Sequence, residues 1–156
     1  MRLSDILASD RILVDAAGGT VHDKNDAIRL LSEMLAPVVG AEQQTVERLL
    51  MERERLQSTG IGDGVAIPHT SVESAPGQAA ALLLCRRGIP FEAIDGADVR
   101  IIFGVVGPKR ATGEHLRALA RISRLLRDNA TRTRLVAAAD AQAAMSLIEE
   151  NDASLR

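Results

Sequence analysis

Two periodicities divide this chain into helical and extended segments. In the segment 23–36, apolar residues recur at intervals of three and four, which predicts an amphipathic helix. Pro37 and Gly40 follow and are predicted to end that helix. A second helix is predicted over 41–56, although Arg53 falls on its apolar face, where a hydrophobic side chain would be expected. Arg53 therefore departs from the pattern of its own helix.

Short apolar runs without a helical period predict strands over 12–14, 65–67, 79–87 and 99–106. The two longer runs lack the alternation of apolar and polar residues that marks a half-exposed strand. They are therefore typical of strands that are covered on both faces. A strong helix is predicted over 113–127, where apolar residues return to helical register.

Helix caps and the order of the elements predict the architecture. Asp23 is a predicted N-cap for the first helix, and Thr131 and Asp140 are predicted caps for two short helices near the end of the chain. Helical and extended segments interleave, which predicts an α/β fold with a mixed central sheet flanked by helices on both faces. The sequence has 156 residues without an internal repeat or linker, so residues 1–156 are expected to form one compact domain.

Charge and composition exclude several kinds of partner. The formal net charge is -2 and opposite charges are interspersed, so the chain lacks the basic stripe that nucleic acids require. Phe91 and Phe103 are its only aromatic residues, which removes the stacking platforms used on single strands. No apolar stretch approaches the ~18 residues of a membrane span, and the N-terminus lacks the apolar region of a signal peptide. We expect a cytoplasmic protein without membrane insertion.

The chain has one cysteine and three histidines. Cys85 lies in an apolar run and is expected to be a buried thiol, and a single cysteine cannot form an internal disulfide. The histidines are too far apart in sequence to resemble the closely spaced ligands of a zinc site, so no metal is expected. His22 falls at a predicted helix start, where a surface or capping role is expected.

His69 lies at a position suited to chemistry. Pro68 restricts the backbone just before it, and a glycine-rich turn and a short strand present it at the end of an element. An imidazole with a pKa near ~6.5 is largely neutral at pH 7, so one ring nitrogen has a lone pair that can attack phosphorus. The alternative is a hydrogen-bonded histidine with a purely structural role.

Two further side chains could support phosphoryl chemistry, which depends on positive charge and hydrogen-bond donors around the phosphoryl oxygens. Arg53 precedes His69 by one short loop and could bind these oxygens through its guanidinium group. Its alternative is a packing role at the edge of the core. His115 falls in the first turn of the 113–127 helix, where backbone amides favour an anion, and its alternative is an ordinary surface histidine.

The segment 60–64 carries three glycines at alternate positions. It matches neither a dinucleotide-binding fingerprint nor a P-loop, so nucleotide binding is not predicted. The glycines instead predict a turn with positive φ angles, and such a turn also lets backbone amides approach a ligand.

The segment 53–69 has the sequence RERLQSTGIGDGVAIPH. It resembles the active-site signature of the fructose, mannitol and nitrogen-regulatory enzyme IIA proteins of the bacterial phosphotransferase system. The resemblance extends over almost the whole chain, including the early helix around 24–28, the linker 89–96 and the segment 114–116. The sequence departs from the family pattern at Thr70, because glycine often follows the Pro-His pair there.

The resemblance implies a mixed sheet flanked by helices and a phosphotransferase activity. His69 would accept a phosphoryl group from a phosphohistidine on a small phosphocarrier protein, and Arg53 and His115 would stabilise the transferring group. Because the donor is a P–N bond and not a nucleotide, neither a cofactor nor Mg²⁺ is implied. The corresponding phosphoryl-binding loop comprises Ser58, Thr59, Gly60, Gly62 and Gly64.

Two types of protein in this family remain open. A nitrogen-regulatory protein, which signals by its phosphorylation state, is favoured by the length of the chain and by the segment 116–123. The alternative is the IIA component of a fructose- or mannitol-type sugar transporter. Outside the family, a binding module without phosphorylation and, more remotely, a small-molecule hydrolase are the competing hypotheses.

Overall fold

Residues 1–155 are described by a computed structural model, in which a six-stranded sheet carries five α-helices. The strands are β1 (Ile12–Asp15), β2 (Gly60–Gly62), β3 (Val65–Ala66), β4 (His69–Ser71), β5 (Ala79–Ile89) and β6 (Val99–Gly107). The helices are α1 (Lys24–Val39), α2 (Gln43–Leu56), α3 (Thr112–Leu125), α4 (Asn129–Val136) and α5 (Ala141–Ala153). The predicted α/β class is confirmed.

The sheet is mixed, and its long strands lie inside it. β5 and β6 pair antiparallel, with Leu82 opposite Phe103, and β1 adds to β5 in parallel. β3 and β4 both run parallel to β6, one after the other along its length, and β2 pairs antiparallel with β3 at the edge. The strand that begins at His69 is therefore hydrogen-bonded to an interior strand of the sheet.

Two hydrophobic cores lie on opposite faces of the sheet. Because side chains alternate along a strand, Leu83 and Ile102 pack beneath α1 and α2, whereas Leu82 and Phe103 pack beneath α3, α4 and α5. The helices thus flank both faces, as the sequence predicts. This double coverage explains why the sequences of β5 and β6 are apolar without alternation.

The ends of α1 confirm one prediction and correct another. The side chain of Asp23 caps the helix by accepting a hydrogen bond from the amide of Asp26 at 2.8 Å. Pro37 does not end the helix, although it removes one intrahelical hydrogen bond, because Val39 beyond it is buried in the core and favours a further turn. The helix continues to Val39 and ends at Gly40, which adopts the left-handed conformation with φ 66°.

Of the two caps predicted for the last two helices, one is confirmed and one is wrong. Asp140 caps α5 as predicted, accepting from the amide of Ala143 at 2.8 Å. The prediction that Thr131 caps α4 is wrong, because the carboxylate of Asp128 holds that position. Asp128 accepts from both the amide and the hydroxyl of Thr131, at 3.2 and 2.8 Å. Thr131 is therefore the third residue of the helix, three positions after its cap.

Candidate active site

His69 is the first residue of β4 and lies half-buried beside the middle of the sheet. It pairs with Val105 of β6, and the carbonyl of Pro68 accepts a hydrogen bond from the amide of Val105 at 2.9 Å. The backbone at His69 is thus fixed in two ways. It is hydrogen-bonded to the interior strand β6, and the preceding Pro68 has a restricted φ angle.

A single hydrogen bond determines the tautomer of His69. Its Nδ1 lies 2.8 Å from the carbonyl oxygen of Ile67. A carbonyl oxygen can only accept, so Nδ1 carries the proton and the lone pair of the neutral ring is on Nε2. Nε2 is therefore the ring nitrogen with an available lone pair.

The surroundings of His69 favour its neutral form. Burial lowers the pKa of His69 from its usual value, and the nearby charge of Arg53 acts in the same direction. The hydrogen bond to Ile67 and the charge of Glu54 raise that pKa but do not outweigh burial. The imidazole of His69 is accordingly largely uncharged at neutral pH.

His115 lies near the N-terminus of α3 and faces His69 across the site. The two ring centroids are 5.7 Å apart and the ring planes are inclined by 53°. Burial lowers the pKa of His115, and the neighbouring His69 lowers it further. The Nδ1 of His115 is 2.8 Å from Oε1 of Gln78, a residue that sequence analysis does not single out.

Arg53 approaches the site from the last turn of α2, which packs beside β4. Its Nη1 donates a hydrogen bond to the carbonyl of Gln57 at 2.9 Å, and the side chain is half-buried. Its charge lowers the pKa of His69, so the two groups are within electrostatic reach. The structure thus brings together the three residues that the sequence predicts as catalytic.

The glycine-rich segment forms the turn between β2 and β3. Gly62 and Gly64 have φ angles of 98° and 75°, which confirms the predicted positive φ, and Asp63 between them has φ 57°. Gly60 is required for a different reason. A Cβ at Gly60 would lie 2.8 Å from Cβ of Ala93, so only glycine permits this approach of the 89–96 linker.

The amides at the start of this loop donate to side chains of the protein. The Ser58 hydroxyl donates to the Phe91 carbonyl at 3.1 Å and accepts from the amide of Gly60 at the same distance. The amide of Thr59 donates to Oε1 of Glu54 at 3.0 Å, and the Thr59 hydroxyl donates to the same oxygen. These contacts hold the loop in its shape.

Glu54, which accepts hydrogen bonds from this loop, also forms a buried ion pair. Nζ of Lys24 lies 3.0 Å from Oε2 of Glu54, and the two side chains are 16% and 1% exposed. Lys24 also lies 4.8 Å from the centroid of the Phe91 ring. Sequence analysis misses this pair, because a lysine and a glutamate on amphipathic helices are normally solvated. The position of Glu54 beside the anomalous Arg53 is the only signal that could have suggested it.

The remaining histidine, His22, and the single cysteine, Cys85, lie outside this site. His22 is exposed and its Nδ1 lies 2.9 Å from Oδ2 of Asp26 at the start of α1, in agreement with the expected surface role. Cys85 is buried, which together with the charge of Asp15 raises the pKa of its thiol to about 12. Within residues 1–155, no cluster of three or more potential metal ligands occurs, and no helix is both long and apolar enough to cross a bilayer.

An α/β fold that holds a neutral imidazole beside a second imidazole and an arginine has the groups that phosphoryl transfer requires. A family model described as "Phosphoenolpyruvate-dependent sugar phosphotransferase system, EIIA 2" matches residues 6–151. The chain belongs to this family of phosphotransferase system enzyme IIA proteins.

Within the family, the chain is most like the nitrogen-regulatory proteins. It is 36% identical to a nitrogen regulatory protein of Bradyrhizobium diazoefficiens over 148 residues, which are 95% of each sequence. Nitrogen regulatory protein IIA-Ntr from Neisseria meningitidis superposes on it with a TM-score of 0.86 at 29% identity, over 94% of this chain and 98% of the other. Enzyme IIA of the Escherichia coli mannitol system, solved in complex with phosphorylated enzyme IIB, shares the fold with a TM-score of 0.74 at 21% identity, over 91% and 96% of the two chains.

Proposed function

We propose that this protein is a phosphocarrier whose Nε2 of His69 takes a phosphoryl group from a phosphohistidine of a small histidine-containing phosphocarrier protein. The observation that carries the proposal is the hydrogen bond from Nδ1 of His69 to the carbonyl of Ile67, which leaves the lone pair on Nε2. In the transfer, the P–N bond of the donor breaks and its electron pair returns to the donor imidazole. A new P–N bond forms at Nε2, and the proton stays on Nδ1.

Arg53 and His115 are proposed to stabilise the transferring group. Arg53 combines a permanent charge with a side chain whose present acceptor is a single exposed carbonyl, so the guanidinium can turn toward phosphoryl oxygens. His115 is the nearest second imidazole, at a centroid distance of 5.7 Å from His69. Its position in the first turns of α3 also places the positive end of the helix dipole toward added negative charge.

We propose that the loop residues act mainly by holding these side chains at the correct separation. The carbonyl of Thr59 accepts a hydrogen bond from the amide of Ile67 at 3.0 Å, which connects the end of α2 to the strand before His69. Because the amides of Thr59 and Gly60 already donate within the protein, they would contribute to phosphoryl binding through geometry. The same role extends to the complete loop of Ser58, Thr59, Gly60, Gly62 and Gly64.

We propose a regulatory role in the cytoplasm for residues 1–156 as one functional unit, with partner proteins that distinguish the phosphorylated from the free form. Phosphorylation adds a charge near −2 at the surface beside His69, which can create or disrupt a contact. Similarity to nitrogen regulatory proteins over 95% of the sequence supports this role. The alternative is a IIA component of a sugar transporter, supported by the shared fold with mannitol enzyme IIA. The transfer itself requires no cofactor.

The experiment is phosphorylation of the purified protein by phosphoenolpyruvate, enzyme I and the phosphocarrier, followed by intact mass measurement and phosphohistidine NMR. One phosphoryl group at Nε2 is expected in the unmodified protein and in the control His22→Gln. His69→Gln is expected to abolish it entirely. Phosphate in His69→Gln, or none in the unmodified protein with an active donor, would refute the phosphocarrier hypothesis. Rapid onward transfer to a sugar-specific IIB protein would favour the transporter alternative.

A further inference from the structure

Gln78 lies immediately before β5 and contacts the site from the side opposite to His69. Its Oε1 is 2.8 Å from Nδ1 of His115. In this orientation the carboxamide oxygen accepts, so Nδ1 of His115 carries a proton. The arrangement parallels the one at His69, where the carbonyl of Ile67 also holds a proton on Nδ1. Each imidazole of the site therefore has its Nδ1 bound to an oxygen.

Gly107, the last residue of β6, makes room for this contact. A Cβ at Gly107 would lie 2.2 Å from both Oε1 and Nε2 of Gln78 and 2.3 Å from its Cδ. The carboxamide thus occupies the space that a side chain at position 107 would need. Any larger residue at position 107 would push the carboxamide away from His115.

The carboxamide nitrogen of Gln78 indicates that packing alone does not explain why a glutamine occupies this position. Its Nε2 is buried and finds no hydrogen-bond partner among residues 1–155. Burying an amide nitrogen without an acceptor is unfavourable, and a methionine of similar length would fill the same space without that cost. The hydrogen bond from His115 is a feature that glutamine provides and methionine does not.

We propose that Gln78 is a positioning residue for phosphoryl transfer: it holds the ring of His115 in one orientation, with the proton on Nδ1, so that Nε2 is the nitrogen that meets the phosphoryl group. The proposal rests on the phosphocarrier function proposed above. A proton taken up from solvent at Nε2 then makes His115 a hydrogen-bond donor, and the negative charge of the phosphoryl group favours this protonation. The other charged groups that act on this pair of rings are Arg53 and Glu54, through His69.

The direct test is the tautomer of His115 in the unphosphorylated protein, measured by long-range ¹H–¹⁵N NMR of the histidine rings. The unmodified protein is expected to show the proton on Nδ1 of His115. Gln78→Met removes the acceptor, and a shift toward the Nε2-protonated tautomer is expected. Gln78→Glu retains an oxygen at this position and is expected to preserve the original tautomer.

Gly107→Ala provides an independent variant, because it displaces the carboxamide without changing Gln78 itself. Gln78→Met and Gly107→Ala are each expected to slow phosphoryl transfer to His69 by about tenfold, as misplacement of a supporting group does. The double variant is expected to be no slower than either single one, since both remove the same contact. Thermal unfolding, measured in parallel, is expected to be unchanged in Gln78→Met.

The outcomes separate this proposal from the function on which it rests. If the unmodified protein is phosphorylated and Gln78→Met shows the same tautomer and the same rate, Gln78 has no positioning role and the phosphocarrier function stands. An additive double variant would likewise overturn the shared mechanism. Absence of phosphorylation at His69 in the unmodified protein would overturn both proposals together.

Discussion

The two faces of the sheet supply the site with different kinds of group. On the side of α1 and α2, the site is built from charge: Arg53 at the helix end, and below it the buried pair of Lys24 and Glu54. On the side of α3, it is built from an uncharged ring, His115, held by the carboxamide of Gln78. His69, the proposed nucleophile, lies between these two sides.

This difference shows how an imidazole can be kept neutral beside a permanent cation. The charge of Glu54 offsets part of the influence of Arg53 on His69, and burial, the largest cause, determines the direction of the pKa shift. On the α3 side, burial and the neighbouring His69 disfavour the charged form of His115. We therefore expect different effects from the two sides: on stability from the buried pair of Lys24 and Glu54, and on the transfer rate from Arg53 and His115.

The largest effect is expected from breaking the buried ion pair between Lys24 and Glu54. Lys24→Met leaves the carboxylate of Glu54 uncompensated at 1% exposure, and a loss of about 3–5 kcal/mol in the free energy of unfolding is expected. Chemical denaturation measures this change. The control is Arg48→Met, which removes an exposed ion pair between Arg48 and Glu52, both on α2. It is expected to lower the free energy of unfolding by at most about 1 kcal/mol. Equal losses in the two variants would contradict a special role for Lys24.

The second-largest effect is expected from removing the charge of Arg53, which lies in the site itself and not in the ion pair beneath it. Arg53→Gln is expected to slow phosphoryl transfer to His69 by about a hundredfold, because it removes the permanent cation proposed to stabilise the transferring group. Its effect on stability is expected to be small, since its one hydrogen bond is to an exposed carbonyl. Single-turnover transfer from the phosphorylated donor measures the rate.

Arg55 in the same turn of α2 provides the matched control for this experiment. Its side chain is exposed, and Arg55→Gln changes the net charge by the same amount as Arg53→Gln. If both variants slow the transfer equally, the effect is one of general attraction between the protein and its donor, and Arg53 has no specific role. Arg53→Lys is expected to restore part of the rate, because it keeps the charge and loses the bidentate geometry.

The elements of the fold and the three catalytic candidates could be predicted from the sequence because their signals are local. The apolar runs of β5 and β6 and the segment 53–69 are each contained in one continuous stretch. The contacts that support the site are not of this kind. Gln78 and His115 are 37 positions apart, and neither residue type predicts the other.

The incorrect predictions have local physical causes. Thr131 and Asp128 are both good N-cap residues, and the sequence does not show which of them begins α4. Pro37 removes one hydrogen bond from α1, but the burial of Val39 beyond it, which the sequence does not show, favours a helix that continues. Lys24 and Glu54 have the residue types of a solvated surface, and only the packing of α1 against α2 reveals that they are buried.

The smallest effect is expected in the dependence of stability on pH, and it sharpens the comparison between the two imidazoles. Burial lowers the pKa of both His69 and His115 in the folded protein. As the pH falls below the value near 6.5 at which an unfolded imidazole titrates, the unfolded chain binds more protons than the folded one, so the folded protein loses stability. His115→Gln removes one of these two contributions and is expected to make the loss shallower between pH 6.5 and the lowered pKa. Thermal unfolding over this pH range measures the slope. An unchanged slope in His115→Gln would show that burial does not disfavour the charged form of this ring.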